Sequence, residues 1–137
     1  MNALVAFRAL APVMSSSMRT AAGPSVVVAK RFAHHEEYGD AWNKKWVQFF
    51  EAENIRKKVL HRGLNDVFAH DLVPEVEILV AAIEASRRVN SFGTSVRIME
   101  GLREKVATQA DYDYMIEQLR PTLDKNGVST PEELGFQ

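Results

Sequence analysis

Cysteine is absent from all 137 residues of this sequence. A chain without cysteine forms no disulfide bond, offers no thiolate nucleophile and holds no cysteine-ligated metal. Long apolar runs are also missing, because the richest one, ILVAAI at 78–83, is closed by Glu77 and Glu84. That run falls well short of the roughly 20 apolar residues that a membrane-spanning helix needs. The sequence therefore predicts a protein that is soluble or that rests on a partner that spans the membrane.

Acidic residues are missing before Glu36, and the same stretch carries four basic residues: Arg8, Arg19, Lys30 and Arg31. The segment LVAFRAL (4–10) places its larger apolar residues on one helical face. Acid-poor, arginine-containing amphipathic segments at the N-terminus are typical of mitochondrial transit peptides, whereas a secretory signal needs an unbroken apolar core. We therefore predict that residues 1–33 are a transit peptide. The alternative is a disordered N-terminal tail.

The boundary of this segment is predicted from KRFAHH (30–35), where Arg31 precedes an aromatic and a small residue. This order suits processing in the matrix, so we assign the processing region to Arg31, Phe32 and Ala33. The remaining residues, 34–137, are enough for one domain with a single core. They hold thirteen basic and eighteen acidic residues, a net charge of −5, although the whole chain carries only −1.

Apolar residues recur at helical spacing through this domain. The first helix carries an aromatic stripe, Trp42, Trp46, Phe49 and Phe50, which we interpret as its core anchor, the alternative being a platform for stacking nucleic-acid bases. The inward positions of the later helices are Ile55, Val59, Leu60, Leu64, Val67 and Phe68; Val76, Leu79, Val80 and Ile83; Phe92, Val96, Met99 and Leu102; and Tyr112, Met115, Ile116 and Leu119.

Capping residues and prolines predict where these helices begin and end. The second helix begins near Asn54, the third opens at Pro74, the fourth runs from about Ser91 to Val106, and the fifth from about Asp111 to Arg120. Pro121 predicts a kink or restart, and Gly127 a left-handed helix end. In STPEELG (129–135), Thr130 as the cap and Glu133 as its partner predict one short helical turn.

A weak repeat of about 35 residues organises these helices. LVPEVEILVAAIEA (72–85) corresponds to ADYDYMIEQLRPTL (110–123), and LNDVFAHDLVP (64–74) corresponds to VRIMEGLREK (96–105). No stretch alternates apolar and polar residues as a half-buried strand does. We predict an all-α fold: a right-handed α-α superhelix of about five helices in hairpin repeats over residues 34–137, with a short C-terminal helix. Such stacks usually bind another macromolecule.

Residues that carry catalysis or bind metal are sparse. His34 and His35 form an adjacent pair near the predicted new N-terminus, while His61 and His70 are nine positions apart, which matches no compact ligand spacing. Asp111 and Asp113 suit the N-terminal end of a helix better than an acid–base pair. The sequence has neither a glycine-rich phosphate loop nor a nucleophile elbow. We predict that the protein is not an enzyme and binds no cofactor itself.

Two surfaces are candidates for partner binding. The hairpin bend within AAIEASRRVNSFGTSVRIME (81–100) places Arg87, Arg88 and Asn90 together, and arginine forms paired hydrogen bonds with carboxylates. The stretch 41–63 is locally basic, which fits either an RNA backbone or an acidic partner. A resemblance of residues 73–105 to a pentatricopeptide unit, a family that binds single-stranded RNA in organelles, keeps an RNA-binding protein as the alternative.

A closer resemblance covers nearly all of residues 36–136. KWVQFF (45–50), DLVPE (71–75), the bend sequence quoted above, and LRPTL followed by GVSTPEELG (127–135) resemble subunit Va of mitochondrial cytochrome c oxidase, in the same order and at similar spacing. The match is specific because four separated motifs agree. The sequence departs from the animal pattern at 51–71, where the second helix begins without an aromatic residue.

The resemblance implies a nuclear-encoded, imported helical subunit of respiratory complex IV, without catalytic residues and without electron transfer of its own. In that family the subunit is peripheral, on the matrix side of the mitochondrial inner membrane, and rests against the matrix portion of subunit IV. The haem a and copper of the oxidase then belong to other subunits. The implied role is assembly, stability and tuning of the complex.

Overall fold

A computed structural model describes residues 39–136 of the chain, and within that range it contains only helices and turns. The five helices are α1 (Gly39–Glu51), α2 (Lys57–Ala69), α3 (Val76–Arg88), α4 (Phe92–Lys105) and α5 (Gln109–Asn126). The predicted all-α class is confirmed. The processing region Arg31, Phe32 and Ala33 and the pair His34 and His35 lie outside the described residues.

The helices pack in two layers. α3 lies between α1 and α5 in one layer, while α2 and α4 contact each other in the second layer and pack against their chain neighbours. The repeat in the sequence corresponds to these layers, because the segments paired as first helices become α3 and α5 and those paired as second helices become α2 and α4. This packing fits a stack of helical hairpins. The right-handed sense of the superhelix stays a prediction.

Helix α3 has the most buried residues of the five helices. They are Ile78, Leu79, Ala81, Ala82, Ile83, Ala85 and Ser86. The helix contacts all four of the others, so its buried positions extend beyond one apolar stripe. Of its predicted inward face, Leu79 and Ile83 are buried, whereas Val76 and Val80 are partly exposed.

The aromatic stripe of α1 faces the core, as predicted. Trp46 and Phe50 are buried, and their ring centroids are 6.0 Å apart in a stacked arrangement. Phe49 meets Phe50 edge-on with centroids 5.2 Å apart, and Trp42 lies edge-on to Trp46 at 6.2 Å. Aromatic contacts of this kind stabilise a core beyond the area that they bury. The stripe is therefore not an exposed stacking platform.

Helix α2 begins two residues later than predicted from an N-cap at Asn54. Asn54 lies in a turn, Arg56 occupies the N-cap position without a side-chain cap hydrogen bond, and the helix starts at Lys57. Ile55 reaches the core from this turn, where its backbone N donates to the carbonyl of Ala52 at 3.2 Å. Ile55 therefore reaches the core from outside α2 and does not lie on the helical face that it was predicted to share.

Two predicted inward residues are instead exposed. Val59, on α2, is 42% exposed, since the core-facing positions of that helix are Leu60, Gly63, Leu64 and Val67. Phe92, the first residue of α4, is 50% exposed. At that end of α4 the buried positions are occupied by Ser91, Thr94 and Ser95, and a hydroxyl cluster takes the place of the aromatic ring.

Helix α5 continues through Pro121 instead of restarting there. Proline removes one backbone donor and crowds the preceding turn. Leu119 and Leu123, on either side of it, are both fully buried, while Pro121 itself is exposed. The packing of these leucines holds the backbone helical across the proline. The helix ends as predicted at Gly127, in the left-handed region with φ of 62°.

The C-terminal turn forms the predicted capping box. Thr130 Oγ1 accepts a hydrogen bond from Glu133 N at 3.3 Å, and Glu133 Oε2 accepts one from Thr130 N at 3.0 Å. Leu134 N donates to the Thr130 carbonyl at 3.1 Å, so residues 131–135 form one turn in place of the predicted short C-terminal helix. Arg120 Nη1 donates to Glu133 Oε1 at 2.7 Å, and this hydrogen bond holds the pKa of that carboxyl below its ordinary value. The turn is therefore attached to α5.

Candidate functional site

The elbow, residues 87–91, joins α3 to α4 by a Schellman motif, in which a left-handed residue ends the helix. Asn90 has φ of 52°, and its backbone N donates to the Arg87 carbonyl at 3.0 Å. The next backbone N, of Ser91, donates to the Ser86 carbonyl at 2.8 Å. Asparagine tolerates the left-handed region better than most residues other than glycine. Asn90 thus has a conformational role that the sequence reading did not assign to it.

A buried cluster of hydroxyl groups holds the elbow in place. The Ser86 and Ser95 hydroxyls are hydrogen bonded to each other, and Ser86 Oγ also donates to the Ile83 carbonyl at 2.7 Å. Ser91 Oγ lies 2.8 Å from Thr94 Oγ1. Buried hydroxyls are costly unless they are paired. These pairs fix the start of α4 against the end of α3.

His61 connects the same cluster to α2. Its Nε2 lies 2.9 Å from Thr94 Oγ1, so one hydrogen bond joins residues 33 positions apart in the sequence. This contact gives His61 a structural partner in place of a metal ion. The other histidine of the described chain, His70, lies edge-on to Trp42, with ring centroids 5.8 Å apart.

The three candidate docking residues have different surroundings. Arg88 Nη2 donates to the carbonyl of Phe50, one of the last carbonyls of α1, where no intrahelical partner exists. This guanidinium, carried by α3, therefore caps the C-terminal end of α1. Arg87 and Asn90 are exposed at the surface of the elbow. Within residues 39–136, the Arg87 side chain forms no ion pair.

A cavity of about 190 Å³ lies beside the elbow. Its lining residues are Arg87, Ser91, Phe92, Ser95, Asn126, Gly127 and Val128. The cavity joins the start of α4 to the end of α5, so two helix ends and one exposed arginine meet there. The exposed ring of Phe92 lies at its edge and gives it an apolar side. Sequence reasoning missed Phe92 as a surface residue because its spacing fits the core face.

The acidic residues at the start of α5 act as helix-terminal groups. Thr108 Oγ1 caps the helix by accepting from Asp111 N at 3.2 Å, and Asp113 Oδ1 accepts from the Gln109 side chain at 2.8 Å. Burial, together with nearby Glu132, raises the pKa of the Tyr112 phenol above its ordinary value, so the phenol stays protonated at neutral pH. Among residues 39–136, no three metal-ligating side chains come together.

Two further observations concern membrane spanning and the charge of the surface. None of the helices in the described part of the chain combines the length and apolar character of a membrane span. The lysines and arginines of α1, α2 and their connection are exposed, whereas Trp46 and Phe50 are buried and Trp42 and Phe49 pack partly buried against the core. The elbow and this basic surface are the two candidate binding surfaces.

Comparison with known proteins gives a consistent result. The sequence model of the cytochrome c oxidase subunit Va family matches residues 35–136. Cytochrome c oxidase subunit 5A, mitochondrial, from Notamacropus parma is 37% identical to this chain over 130 residues, which is 93% of this chain and 84% of the relative. The family match spans the five helices, the elbow and the C-terminal turn. Neither match favours the pentatricopeptide interpretation.

Proposed function

This chain belongs to the cytochrome c oxidase subunit Va family, and we propose that it is an accessory subunit that supports assembly and stability of the complex without catalysing a reaction itself. As a member of the family it is a subunit of mitochondrial cytochrome c oxidase. The observation that carries the proposal is the family match across residues 35–136, the whole described fold. Haem a and copper are assigned to other subunits, as the family resemblance implies.

The proposed position is peripheral, on the matrix side of the inner membrane, with the matrix portion of subunit IV as the neighbour. Two features support a docking role. Stacked helical hairpins offer a broad surface, and α3 at the centre of the stack makes that surface rigid. The elbow adds an exposed arginine and an exposed aromatic ring around a cavity, and these two residue types are enriched in protein interfaces.

Within the elbow we propose that Arg87 and Asn90 contact the partner, while Arg88 contributes by holding α1 in place. The Arg88 guanidinium is hydrogen bonded within the chain, whereas Arg87 is exposed beside the cavity. A partner carboxylate at Arg87 would receive two parallel hydrogen bonds, which would fix the register of docking. The elbow would then act as one preformed unit, since the buried hydroxyl cluster fixes its backbone.

Import by a transit peptide over residues 1–33, processed near Arg31, Phe32 and Ala33, is part of the same proposal. Residues 34–137 make up about three quarters of the chain, so a match over 93% of it extends into the N-terminal segment. The relative that it matches is named mitochondrial. Sequencing of the mature N-terminus from isolated mitochondria tests this point, and a mature chain that still begins at Met1 would contradict it.

The central experiment is purification of the tagged full-length chain from mitochondria in mild detergent. We expect the tag to co-migrate with haem a absorbance and oxidase activity on a native gel. Depletion of the chain should lower the amount of assembled complex, while complexes that retain the chain keep an unchanged haem a to copper ratio. Co-purification with RNA in place of haem a would contradict the proposal and favour the pentatricopeptide alternative.

A further inference from the structure

The first two helices carry a set of cations that the rest of the described chain does not neutralise. Six side chains form this set, which we term the basic face: Lys44, Lys45, Arg56, Lys57, Lys58 and Arg62. All six are exposed, and none forms an ion pair with another described residue. Of the seven lysines and arginines in residues 70–136, five bond within the chain: Arg88, Arg103, Lys105, Arg120 and Lys125.

The packing of α1 on α2 brings two of these cations, Lys45 and Arg62, onto adjoining turns. A Cβ atom at Gly63 would lie 2.2 Å from Cε1 of Phe49, so the two helices approach closely at this point. Lys45 lies one turn before Phe49, and Arg62 directly precedes Gly63. The Lys45 Nζ lies 5.2 Å from the centroid of the Trp46 ring, which fixes one end of the basic face to the core.

The arrangement is unfavourable for the isolated chain. Arg56 and Lys57 lie at the N-terminal end of α2, where the helix dipole is positive, and the first turn contains no acidic residue. Lys58 and Arg62 are a like-charge pair at i and i+4. Both placements are unfavourable for exposed charges at low ionic strength. The nearest acidic residues, Glu51, Glu53 and Asp66, form no ion pair with these cations within the described chain, so the cations remain available to a partner outside it.

The surroundings of the basic face indicate the chemistry of the partner. Base stacking by RNA needs exposed aromatic rings, but Trp46 and Phe50 are buried, and Trp42 and Phe49 are partly buried and packed against the core. Insertion into a lipid surface would need a broad apolar face, but Val59 is the one exposed large apolar side chain of α1 and α2. A surface of cations with little apolar area instead fits a partner that it recognises by charge complementarity, as an acidic polypeptide would provide.

We propose that the basic face docks an acidic polypeptide segment of another subunit of the oxidase, with Val59 in the contact. This inference rests on the proposed function and adds a second surface to the elbow. The carboxylates of that segment would neutralise the cations of α2 and remove their mutual repulsion. Docking of this kind should depend strongly on salt, because exposed charge pairs are screened by ions.

Zero-length carbodiimide cross-linking of the purified oxidase containing the full chain tests the contact directly. The reagent joins lysine amines to carboxylates, so we expect Lys57 or Lys58 linked to an aspartate or glutamate of another subunit. The matched control is the double variant Lys57→Arg and Lys58→Arg, which keeps both charges but removes the amines. It should co-purify with haem a like the wild type and lose the cross-link.

A charge-reversal pair tests the energetic contribution. Lys58→Glu with Arg62→Glu should lower the fraction of the chain retained on the complex about tenfold at moderate salt. Arg97→Glu with Lys125→Glu changes the net charge equally on other parts of the chain, and retention should stay within about twofold. Circular dichroism melts of both full-length variants establish that each still folds.

Several results would overturn the inference. The first is equal loss of retention in both reversal pairs, because the effect would then be one of net charge. A second is cross-linking only to Glu36 or Glu37, which would make the chain's own segment the occupant. A third is binding of the wild type to phosphatidylserine vesicles or to single-stranded RNA, with no cross-link to another subunit. Failure of the wild-type chain to co-migrate with haem a would instead contradict the proposed function.

Discussion

The first two helices and the last one handle charge and helix ends in opposite ways. In residues 39–69 no lysine or arginine forms an ion pair with another described residue, whereas in residues 109–136 both Arg120 and Lys125 do. The start of α2 has Arg56 at its N-cap and no cap hydrogen bond. The start of α5 has Thr108 capping it and Asp111 in its first turn.

This difference separates two sources of stability. The C-terminal region is supported by local interactions that its own sequence encodes, including the Thr130 and Glu133 capping box. The N-terminal region has few local supports and depends on aromatic packing in the core and, by our inference, on an acidic partner. A region whose helix capping and charge placement are locally unfavourable is a candidate for a functional surface.

The largest expected effect is on the aromatic anchor of α1. Trp46→Ala should lower the free energy of unfolding by about 3–5 kcal/mol, because it removes a buried ring and leaves a cavity. Urea unfolding of the full-length chain measures this loss. Trp42→Ala, at a partly exposed ring of the same stripe, is the control and should cost less. Unchanged stability in Trp46→Ala would mean that the N-terminal region does not depend on aromatic packing.

The two arginines of the elbow should separate stability from docking. Arg88→Ala should lower the free energy of unfolding by about 1.5–3 kcal/mol, because the Phe50 carbonyl loses a charged donor. Arg87→Ala should leave unfolding nearly unchanged and reduce the fraction of chain assembled with haem a. Thermal unfolding and native gels measure the two effects. If Arg87→Ala assembles normally, the elbow is not the docking surface that we propose.

Two substitutions at helix N-caps should change the stability of the chain in opposite directions. Thr108→Ala should destabilise the chain by about 1 kcal/mol, because α5 loses its cap. Arg56→Ser should stabilise the isolated chain by a similar amount, because α2 gains a cap and loses a cation at the positive end of its dipole. Chemical unfolding of both variants measures the difference. The comparison fails if Arg56→Ser destabilises the isolated chain.

The smallest expected effects are at two helical glycines. Gly93→Ala, where a Cβ would meet nothing within 4 Å, should stabilise α4 by about 0.5 kcal/mol through backbone entropy. Gly63→Ala should lack this gain or reverse it, because its Cβ would displace the ring of Phe49. Melting temperatures of the two variants, measured side by side, test the sign. Equal stabilisation by both would show that α1 and α2 do not need their close approach.

Several features were predictable because they depend on nearby residues alone. The capping box at Thr130, the left-handed end at Gly127 and the inward face of α5 at Tyr112, Met115, Ile116 and Leu119 all lie where the sequence placed them. Each of these signals involves residues within a few positions of one another, so local hydrogen bonds and helical periodicity are sufficient. The family resemblance was also predictable from the sequence alone, because its four motifs are short stretches of consecutive residues.

Other features depended on which helices are neighbours. The sequence could not place Phe92 at the surface, because its exclusion from the core depends on the hydroxyl cluster of Ser86 and Ser95 across two helices. It could not assign Arg88 to the end of α1, since the bond to Phe50 joins residues 38 positions apart. The uninterrupted path of α5 through Pro121 likewise depends on the buried leucines around it.

The sequence by itself determined the helical class, most of the helix ends and the family, because short-range periodicity and capping encode them. Tertiary structure decided which residues depart from their helical pattern, such as the exposed Val59 and Phe92, and which described cations are left without an ion pair. Burial is a property of what surrounds a side chain, and a cation finds its counter-ion across space and not along the chain. The basic face of α1 and α2 could therefore be seen as an unneutralised surface only after the helices were packed together.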